Sequence, residues 1–229
     1  MVQQATAAIN GPKGGKLFGV SATDGQWLQN NMADTISSSD LGQVMQGSLV
    51  NSVTATYAGG AMLWRIQDRN TLAIKAFGFG SKAGTVNPQG EAIAKPMQIV
   101  QSDIINVYPV AVNAGANSSE VLAWVHMSAG AEAFSVTTTA DDSATAMTSI
   151  VNSDSLGTYF GQTLTGFDIQ VEDGATLNSV TIIGSDGGTI WAGLGTVRDA
   201  GHYYLNMSEH GLQIPITKGM QIKVAVTTA

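Results

Sequence analysis

Hydrophobic and polar residues alternate along most of this chain, in short segments bounded by Gly, Asn and Asp. In residues 51–57 the alternation places Val53, Ala55 and Tyr57 on one side of an extended segment. Residues 222–226 repeat the pattern with Ile, Val and Val at every second position. A period of two residues is typical of a β-strand with one buried face. The pattern therefore predicts strands from residue 49 to the end of the chain.

Turn residues separate neighbouring segments and predict how the strands are connected. About a dozen short strands spaced by roughly 8–12 residues indicate an antiparallel β-sandwich or jelly roll. Pro109 interrupts an apolar run over 104–112, which favours an edge or bent strand there. Phe167, Ile169 and Val171 give the clearest alternation. The predicted turns lie at 67–70, 128–130, 173–174 and 184–188.

One or two short helices are predicted in residues 24–47. Asp24 can cap a first segment, and Asp40 followed by Gln43 has the spacing of a capping box. Gly47 can terminate the second segment, since glycine tolerates the left-handed conformation that ends many helices. We therefore expect an all-β fold with little helix, all of it before the first long strand of the sandwich.

Residues 1–15 mix small and polar side chains and end in a Gly- and Pro-rich cluster over 11–15. Such a composition predicts a flexible N-terminal arm that becomes ordered on a neighbouring molecule. The remainder, 16–229, has no repeat and no linker-like stretch, and we expect one β-sandwich domain. A division near 113–119 is the alternative.

Charge is distributed unevenly along the chain. Residues 1–95 hold seven Lys or Arg against five acids, whereas residues 96–197 hold ten acids and no Lys or Arg. The two stretches carry +2 and −10. An asymmetry of this kind indicates two faces with different neighbours. We expect the acidic stretch to face outward and the N-terminal stretch to face inward or toward an acidic neighbour.

The overall charge content points to assembly. Only 12% of the 229 residues are charged, while 44% are hydrophobic. No apolar run reaches about 18 residues, so no membrane span is predicted. A surface poor in ions loses little hydration free energy when it is buried against a neighbour. The composition therefore favours an obligate oligomer or a lattice subunit over an ordinary low-charge domain.

Four basic residues are the interface candidates. Arginine is favoured at interfaces because its planar fork is weakly hydrated, and both candidate arginines lie in or beside the 67–70 turn. The alternative is that Arg69 pairs with Asp68 in a solvated turn. The candidates are Lys13, Lys16, Arg65 and Arg69.

No catalytic or cofactor-binding signature is present. The chain has no cysteine, which excludes disulfides and thiol chemistry. The GxGxxA match at 78–83 is not followed by a helix start, which a dinucleotide site requires. The pI near 4.7 argues against a dedicated nucleic-acid binder. We expect no enzyme activity, no cofactor and no specific nucleic-acid binding.

Isolated polar residues are interpreted as structural. His126 is expected to be a half-buried histidine with one partner rather than a zinc ligand, since zinc needs three or four converging ligands. The pairs Asp141–Asp142 and Glu172–Asp173 are expected in solvated turns. Calcium binding, or a hydrolase that uses such acid pairs, stays open as an alternative. Three of the four tryptophans lie in predicted strands and are expected in the core.

The whole chain resembles bacteriophage virion proteins, either a jelly-roll capsid subunit or a capsid decoration (cement) protein. The resemblance lies in the N-terminal arm over 1–15, the strands rich in Ala, Gly, Ser, Thr and Asn, the absence of cysteine, and the hairpin series over 166–229. It implies a non-catalytic structural protein that works through repeated contacts with itself and with other virion proteins. It also implies synthesis in the host cytoplasm, consistent with an N-terminus that has no secretion-signal pattern.

A carbohydrate-binding module or adhesin is the alternative function. It would bind a host-surface glycan through aromatic side chains on one exposed face. Exposed coplanar aromatics and a monomer in solution would favour this alternative. A closed shell would instead require heterologous contacts that close around rotation axes.

Overall fold

The computed structural model describes residues 3–23, 25–27, 31–82, 91–111, 118–172, 174–199 and 201–228. Strands account for most of these residues, and helices are few and short. The predicted all-β class is confirmed, with sandwich-like antiparallel and mixed sheets. Residue contacts divide the chain into two compact units, Met1–Ala111 and Val112–Ala229.

Each unit has its own hydrophobic core. All buried residues of one core lie between Ala5 and Val107, and all of the other lie between Val121 and Val226. The single domain expected over 16–229 is therefore replaced by two units. Their boundary lies at 111/112, beside the alternative division near 113–119.

The first unit contains eight strands and one helix in the described residues. The elements are β1 (Gln3–Gly11), β2 (Gly14–Ala22), β3 (Ala33–Asp34), α1 (Leu41–Met45), β4 (Leu49–Tyr57), β5 (Gly60–Asp68), β6 (Ile74–Lys82), β7 (Glu91–Gln98) and β8 (Asp103–Ala111). The strand order is β3-β2-β1-β4-β6-β5-β8, and β7 pairs with β4. All pairings are antiparallel except the short β4–β6 contact.

The prediction of a flexible arm over residues 1–15 is wrong for residues 3–15, the part of it that the structure describes. Residues 3–11 form β1, which pairs with β2 on one side and with β4 on the other. Ala5, Ala7 and Ile9 are fully buried in the core of the first unit. Ala7 lies opposite Phe18 in the register, so a small side chain fits where its neighbour is large. Alanine contributes little to a hydrophobic pattern, which is why the alternation in β1 gave no strong signal.

The second predicted helix is confirmed. Asp40 and Gln43 form the capping box of α1, with the Asp40 amide donating to Gln43 Oε1 at 3.0 Å. Gly47 follows with a φ of 77°, as expected for a helix terminator. The first predicted helix is not found in residues 25–27, and its proposed cap, Asp24, lies outside the described residues.

The second unit is a two-sheet sandwich. Its strands are β9 (Ser119–Met127), β10 (Gly130–Thr138), β11 (Thr145–Ala146), β12 (Thr148–Ser149), β13 (Thr163–Val171), β14 (Thr176–Ile183), β15 (Thr189–Gly193), β16 (Thr196–Asp199), β17 (His202–Asn206), β18 (Ile214–Pro215) and β19 (Gln221–Thr227). Two 3-10 turns lie at Leu156–Tyr159 and Ser208–His210. One sheet has the order β12-β10-β9-β13-β17-β16 with β18 on β13, and the other has the order β11-β19-β14-β15.

The alternating residues of the second unit meet between its two sheets. Phe167 and Ile169 from β13 pack in one cluster with Ile182 from β14 and with Ile222 and Val224 from β19. All five side chains are fully buried. The period-two pattern therefore identified the core-facing side of β13 and β19 correctly.

Three of the predicted connections are hairpins and one is not. β5–β6, β9–β10 and β14–β15 pair antiparallel as expected. In contrast, β14 pairs with β15 and β19 rather than with β13, so the chain crosses between the two sheets after Val171. Asp173 of that predicted turn lies outside the described residues. β8, which contains Pro109, is the last strand in its sheet order, and its prediction as an edge strand is confirmed.

Candidate interaction surfaces

The outward side of β1, β2 and β4 forms a face without charged residues. The register places Thr6 opposite Gly19 and Thr56, and Ala8 opposite Leu17 and Thr54, on the side of the sheet away from the core. We call this surface the neutral face. Its eleven residues are all exposed or half-buried: Gln4, Thr6, Ala8, Asn10, Gly15, Leu17, Gly19, Ser21, Ser52, Thr54 and Thr56.

The side chains of the neutral face are small and partly satisfied by one another. The Thr6 and Thr56 hydroxyl oxygens lie 2.9 Å apart and are hydrogen-bonded across β1 and β4. A Cβ on Gly19 would lie 3.3 Å from the Gln4 side-chain nitrogen, so Gln4 lies over that glycine. When such a face is buried, no ion is removed from water, and the Thr6 and Thr56 hydroxyls remain hydrogen-bonded to each other. The face can therefore be covered by a protein surface at low desolvation cost.

Lys13 and Lys16 lie outside this face. Lys13 is exposed in the turn between β1 and β2, and Lys16 is exposed on β2 opposite Ile9. Hydrogen bonds from Ser37 lower the pKa of Asp34, and the nearby Lys16 charge adds a smaller lowering. Lys16 thus has an acidic neighbour in its own unit, and its role at an interface stays a prediction.

Arg65 lies on β5 and stacks on an aromatic ring. Its guanidinium carbon lies 3.9 Å from the centre of the Trp27 ring, and Trp27 packs edge-on against Tyr108 at 5.7 Å between ring centres. A cation over an indole is stabilised by the ring quadrupole. The stack fixes the segment around Trp27 against the sheet, which gives Arg65 a structural function within the first unit. Whether Arg65 also acts at an interface stays a prediction.

Arg69 pairs with Asp40 rather than, as the alternative supposed, with Asp68. The Arg69 guanidinium forms an ion pair with Asp40, the residue that caps α1. Asp68 instead accepts hydrogen bonds from the Ser102 hydroxyl and from the backbone amides of Asn70 and Thr71. These hydrogen bonds, with the Ser102 bond the largest contributor, lower the pKa of Asp68 to about 2. The 69–72 turn is therefore fixed from within its own unit.

The charge asymmetry of the sequence coincides with the two units. Residues 1–111 contain seven bases and six acids, a net charge of +1, and residues 112–229 contain three bases and eleven acids, a net charge of −8. Each unit therefore presents its own electrostatic character to a partner. The change in charge after Lys95 lies near the structural boundary at 111/112.

His126, Asp168 and His202 lie on three adjacent strands of the second unit. His126 Nε2 lies 2.9 Å from Asp168 Oδ2, and His202 Nε2 lies 3.9 Å from Asp168 Oδ1. The prediction of a half-buried histidine with a polar partner is confirmed for His126. Within the described ranges, no three His, Asp or Glu side chains are arranged to hold a metal ion. The arrangement is that of a polar cross-strand cluster on β9, β13 and β17.

The acid pairs hold loops in place. Asp141 Oδ1 accepts from the Thr228 amide at 2.7 Å and hydroxyl at 2.8 Å, which lowers the pKa of Asp141. Asp142 accepts from the Asn178 amide group. Burial raises the pKa of Glu120, and the neighbouring Glu172 charge contributes to that increase. Asp141 and Asp142 are exposed, as expected for a solvated turn. Glu172 is instead buried at 6% exposure and accepts from the Glu120 amide at 3.1 Å, so the solvated turn expected for it is wrong. Asp173 lies outside the described residues.

The aromatic side chains do not form a sugar-stacking platform. Trp64 and Trp124 are buried, and Trp191 packs against Phe167 at 5.9 Å between ring centres. Phe160, at 56% exposure, is the one exposed aromatic residue in the described part of the chain, and Lys218 Nζ lies 4.7 Å from its ring. The geometry expected of a carbohydrate-binding face is thus absent from the described residues.

The GxGxxA match lies in a strand. Residues 78–82 belong to β6, and residue 83 lies outside the described residues. No helix in the described residues is long and apolar enough to cross a membrane.

Comparisons with known proteins give no family for this chain. No family model, no curated protein and no solved structure matches it.

Proposed function

We propose that this protein is a structural subunit that assembles through repeated contacts, as a shell or decoration component of a bacteriophage virion. The observation that carries the proposal is the neutral face on β1, β2 and β4. Eleven surface positions on three adjacent strands contain no Asp, Glu, Lys or Arg. A soluble monomer has no physical need to keep so large a surface free of ions.

The two-unit charge division supports an assembly with distinct sides. The second unit at −8 repels other copies at moderate salt, whereas the first unit at +1 does not. Contacts between copies are therefore favoured at surfaces that carry no ions, such as the neutral face of the first unit. The charged part of the acidic unit stays in solvent, or meets a basic partner in the virion.

A charge placed in the centre of the neutral face tests this function. Ala8 lies between Leu17 and Thr54 in the register, and Ala8→Glu adds one carboxylate there. Ala73→Glu adds the same charge in the exposed turn before β6 and serves as the matched control. A carboxylate buried at a contact without a partner carries a large desolvation cost.

The two variants should therefore differ in assembly and not in folding. Ala8→Glu should shift sedimentation toward the 23.7 kDa monomer, whereas Ala73→Glu should sediment as the unsubstituted protein does. Thermal unfolding should show that both are folded. If Ala8→Glu assembles as well as Ala73→Glu, the neutral face is not the contact surface.

A further inference from the structure

β15 is the last strand of the four-stranded sheet in the second unit. It pairs with β14, and the order β11-β19-β14-β15 leaves its other side at the edge of that sheet. The backbone N–H and C=O groups on such an edge form a template for another strand. The burial pattern of Thr189–Gly193 shows that the strand is exposed to solvent along its length.

Side chains on β15 divide into an anchoring side and an exposed apolar side. Trp191 points toward the core, where it packs on Phe167, and a Cβ on Gly193 would lie 2.8 Å from the Trp191 ring. Ile190 is 50% exposed, and Leu194, directly after the strand, is 49% exposed. Together with Ala192, which is also exposed, they place three exposed apolar groups along residues 190–194.

Charge and proline, two of the usual protections of an exposed edge, are missing here, although the strand is short and contains a bulge. Natural edge strands carry Lys, Pro or an inward charge to prevent pairing with another chain. Residues 187–197 contain no charged residue and no proline. A register shift at Ile182/Ile183 marks a bulge near Ile190, so the regular part of the edge is Trp191–Gly193. The edge is thus short, uncharged and apolar.

The sequence of the edge is complementary to itself. In an antiparallel pair centred on Ala192, the two Ala192 residues oppose each other. Ile190 of each copy then opposes Leu194 of the other copy. Beyond Leu194 the chain leaves this edge, because β16 pairs with β17 in the other sheet of the unit. The complementarity is therefore limited to residues 190–194.

We propose that β15 pairs antiparallel with β15 of a second copy of this chain, joining two four-stranded sheets into one continuous sheet. The contact is isologous, because the same edge serves both partners. Apolar cross-strand pairs stabilise such a contact, and the absence of ions in residues 187–197 avoids like charges directly opposite each other there. The proposal rests on the proposed assembly function and names one of its contacts. An isologous contact closes as a dimer, so a larger assembly needs a second surface such as the neutral face.

Charge exchange at Ala192 tests the contact. Ala192→Lys and Ala192→Glu each oppose like charges at the centre of the pair, whereas an equimolar mixture opposes Lys to Glu. Ala144→Lys places the same charge in an exposed loop before β11, at the opposite edge of the same sheet, and is the matched control. Like charges directly opposite are unfavourable by up to about 1 kcal/mol, and we expect each single variant to weaken association by up to roughly fivefold.

Sedimentation equilibrium measures the outcome, with circular dichroism as the check on folding. The mixture should recover association and Ala144→Lys should retain it. If the Ala192 variants do not fold, Leu194→Glu, which lies outside the strand, replaces them and should weaken association equally. Association of Ala192→Lys at the level of Ala144→Lys overturns the β15 contact.

The outcomes also separate this contact from the proposed function. If the Ala192 variants still assemble but Ala8→Glu does not, the β15 pairing is wrong and the assembly function stands. If the unsubstituted protein is monomeric at every soluble concentration, the β15 pairing and the assembly function are both wrong.

Discussion

Replacing Ile9 by alanine tests whether the N-terminal residues belong to the core of the first unit. Ile9 has 0% exposure and lies in β1, opposite Val53 in the register with β4. Leu17, on the neighbouring strand β2, is 47% exposed on the neutral face. Ile9→Ala and Leu17→Ala each remove three carbon atoms from the same hairpin, so they form a matched pair.

The difference in burial between Ile9 and Leu17 determines how much each substitution should lower the free energy of unfolding. Three buried carbon atoms at about 0.8 kcal/mol each account for about 2.4 kcal/mol. The cavity left in the core raises the loss for Ile9→Ala to about 3 kcal/mol. Leu17→Ala removes a side chain that is already half in water, and should cost about 1 kcal/mol or less.

Urea unfolding of the full chain measures both losses. Tryptophan fluorescence is suitable because Trp64 lies in the same core as Ile9. The midpoint for Ile9→Ala should fall clearly below that for Leu17→Ala, with an unchanged slope. Equal midpoints would mean that residues 3–11 are not part of the core, and that the flexible arm expected from the sequence is right after all.

Three further predictions concern the first unit. The pKa of Asp68 is about 2 in the folded chain, below its unfolded value, so the stabilisation by Asp68 is present above about pH 4 and is lost as the pH falls toward 2. The difference in urea midpoint between the unsubstituted protein and Asp68→Asn should therefore shrink between about pH 4 and pH 2. A difference that stays constant would contradict this prediction. Gly42→Ala should lower the melting temperature, because the new Cβ would lie 2.2 Å from the Gln101 carbonyl oxygen. This effect should outweigh the helix propensity of alanine, which is about 1 kcal/mol more favourable than that of glycine. A higher melting temperature would refute the close approach. Arg69→Gln removes the ion pair with Asp40, in which the arginine side chain is half exposed. The substitution should lower the free energy of unfolding by less than about 1 kcal/mol. A loss of several kcal/mol would show that the pair is structurally essential.

Local signals in the sequence were sufficient for much of the fold. The capping box at Asp40 and Gln43 located α1, and alternation over Phe167–Val171 located β13 and its buried side. These features depend on residues close together in the chain, where periodicity and capping chemistry act directly. Three hairpins followed from turn residues for the same reason.

Pairing between strands that are far apart in the sequence could not be predicted from local patterns. β1 is stabilised by β4, more than 40 residues away, and its small alanines are buried only because Phe18 and Tyr57 lie beside them. The two-unit organisation likewise depends on which strands share a core, and no linker-like composition marks the boundary. The neutral face and the β15 edge are also properties of pairing, since the sequence shows uncharged strands but not which of them lie at an edge.

The central claim is that this chain is an assembly subunit, and sedimentation velocity over a wide concentration range tests it most directly. We expect species larger than the 23.7 kDa monomer, growing with concentration, and a shift toward monomer for Ala8→Glu. A single 23.7 kDa species at all concentrations, unchanged by that substitution, would contradict the claim.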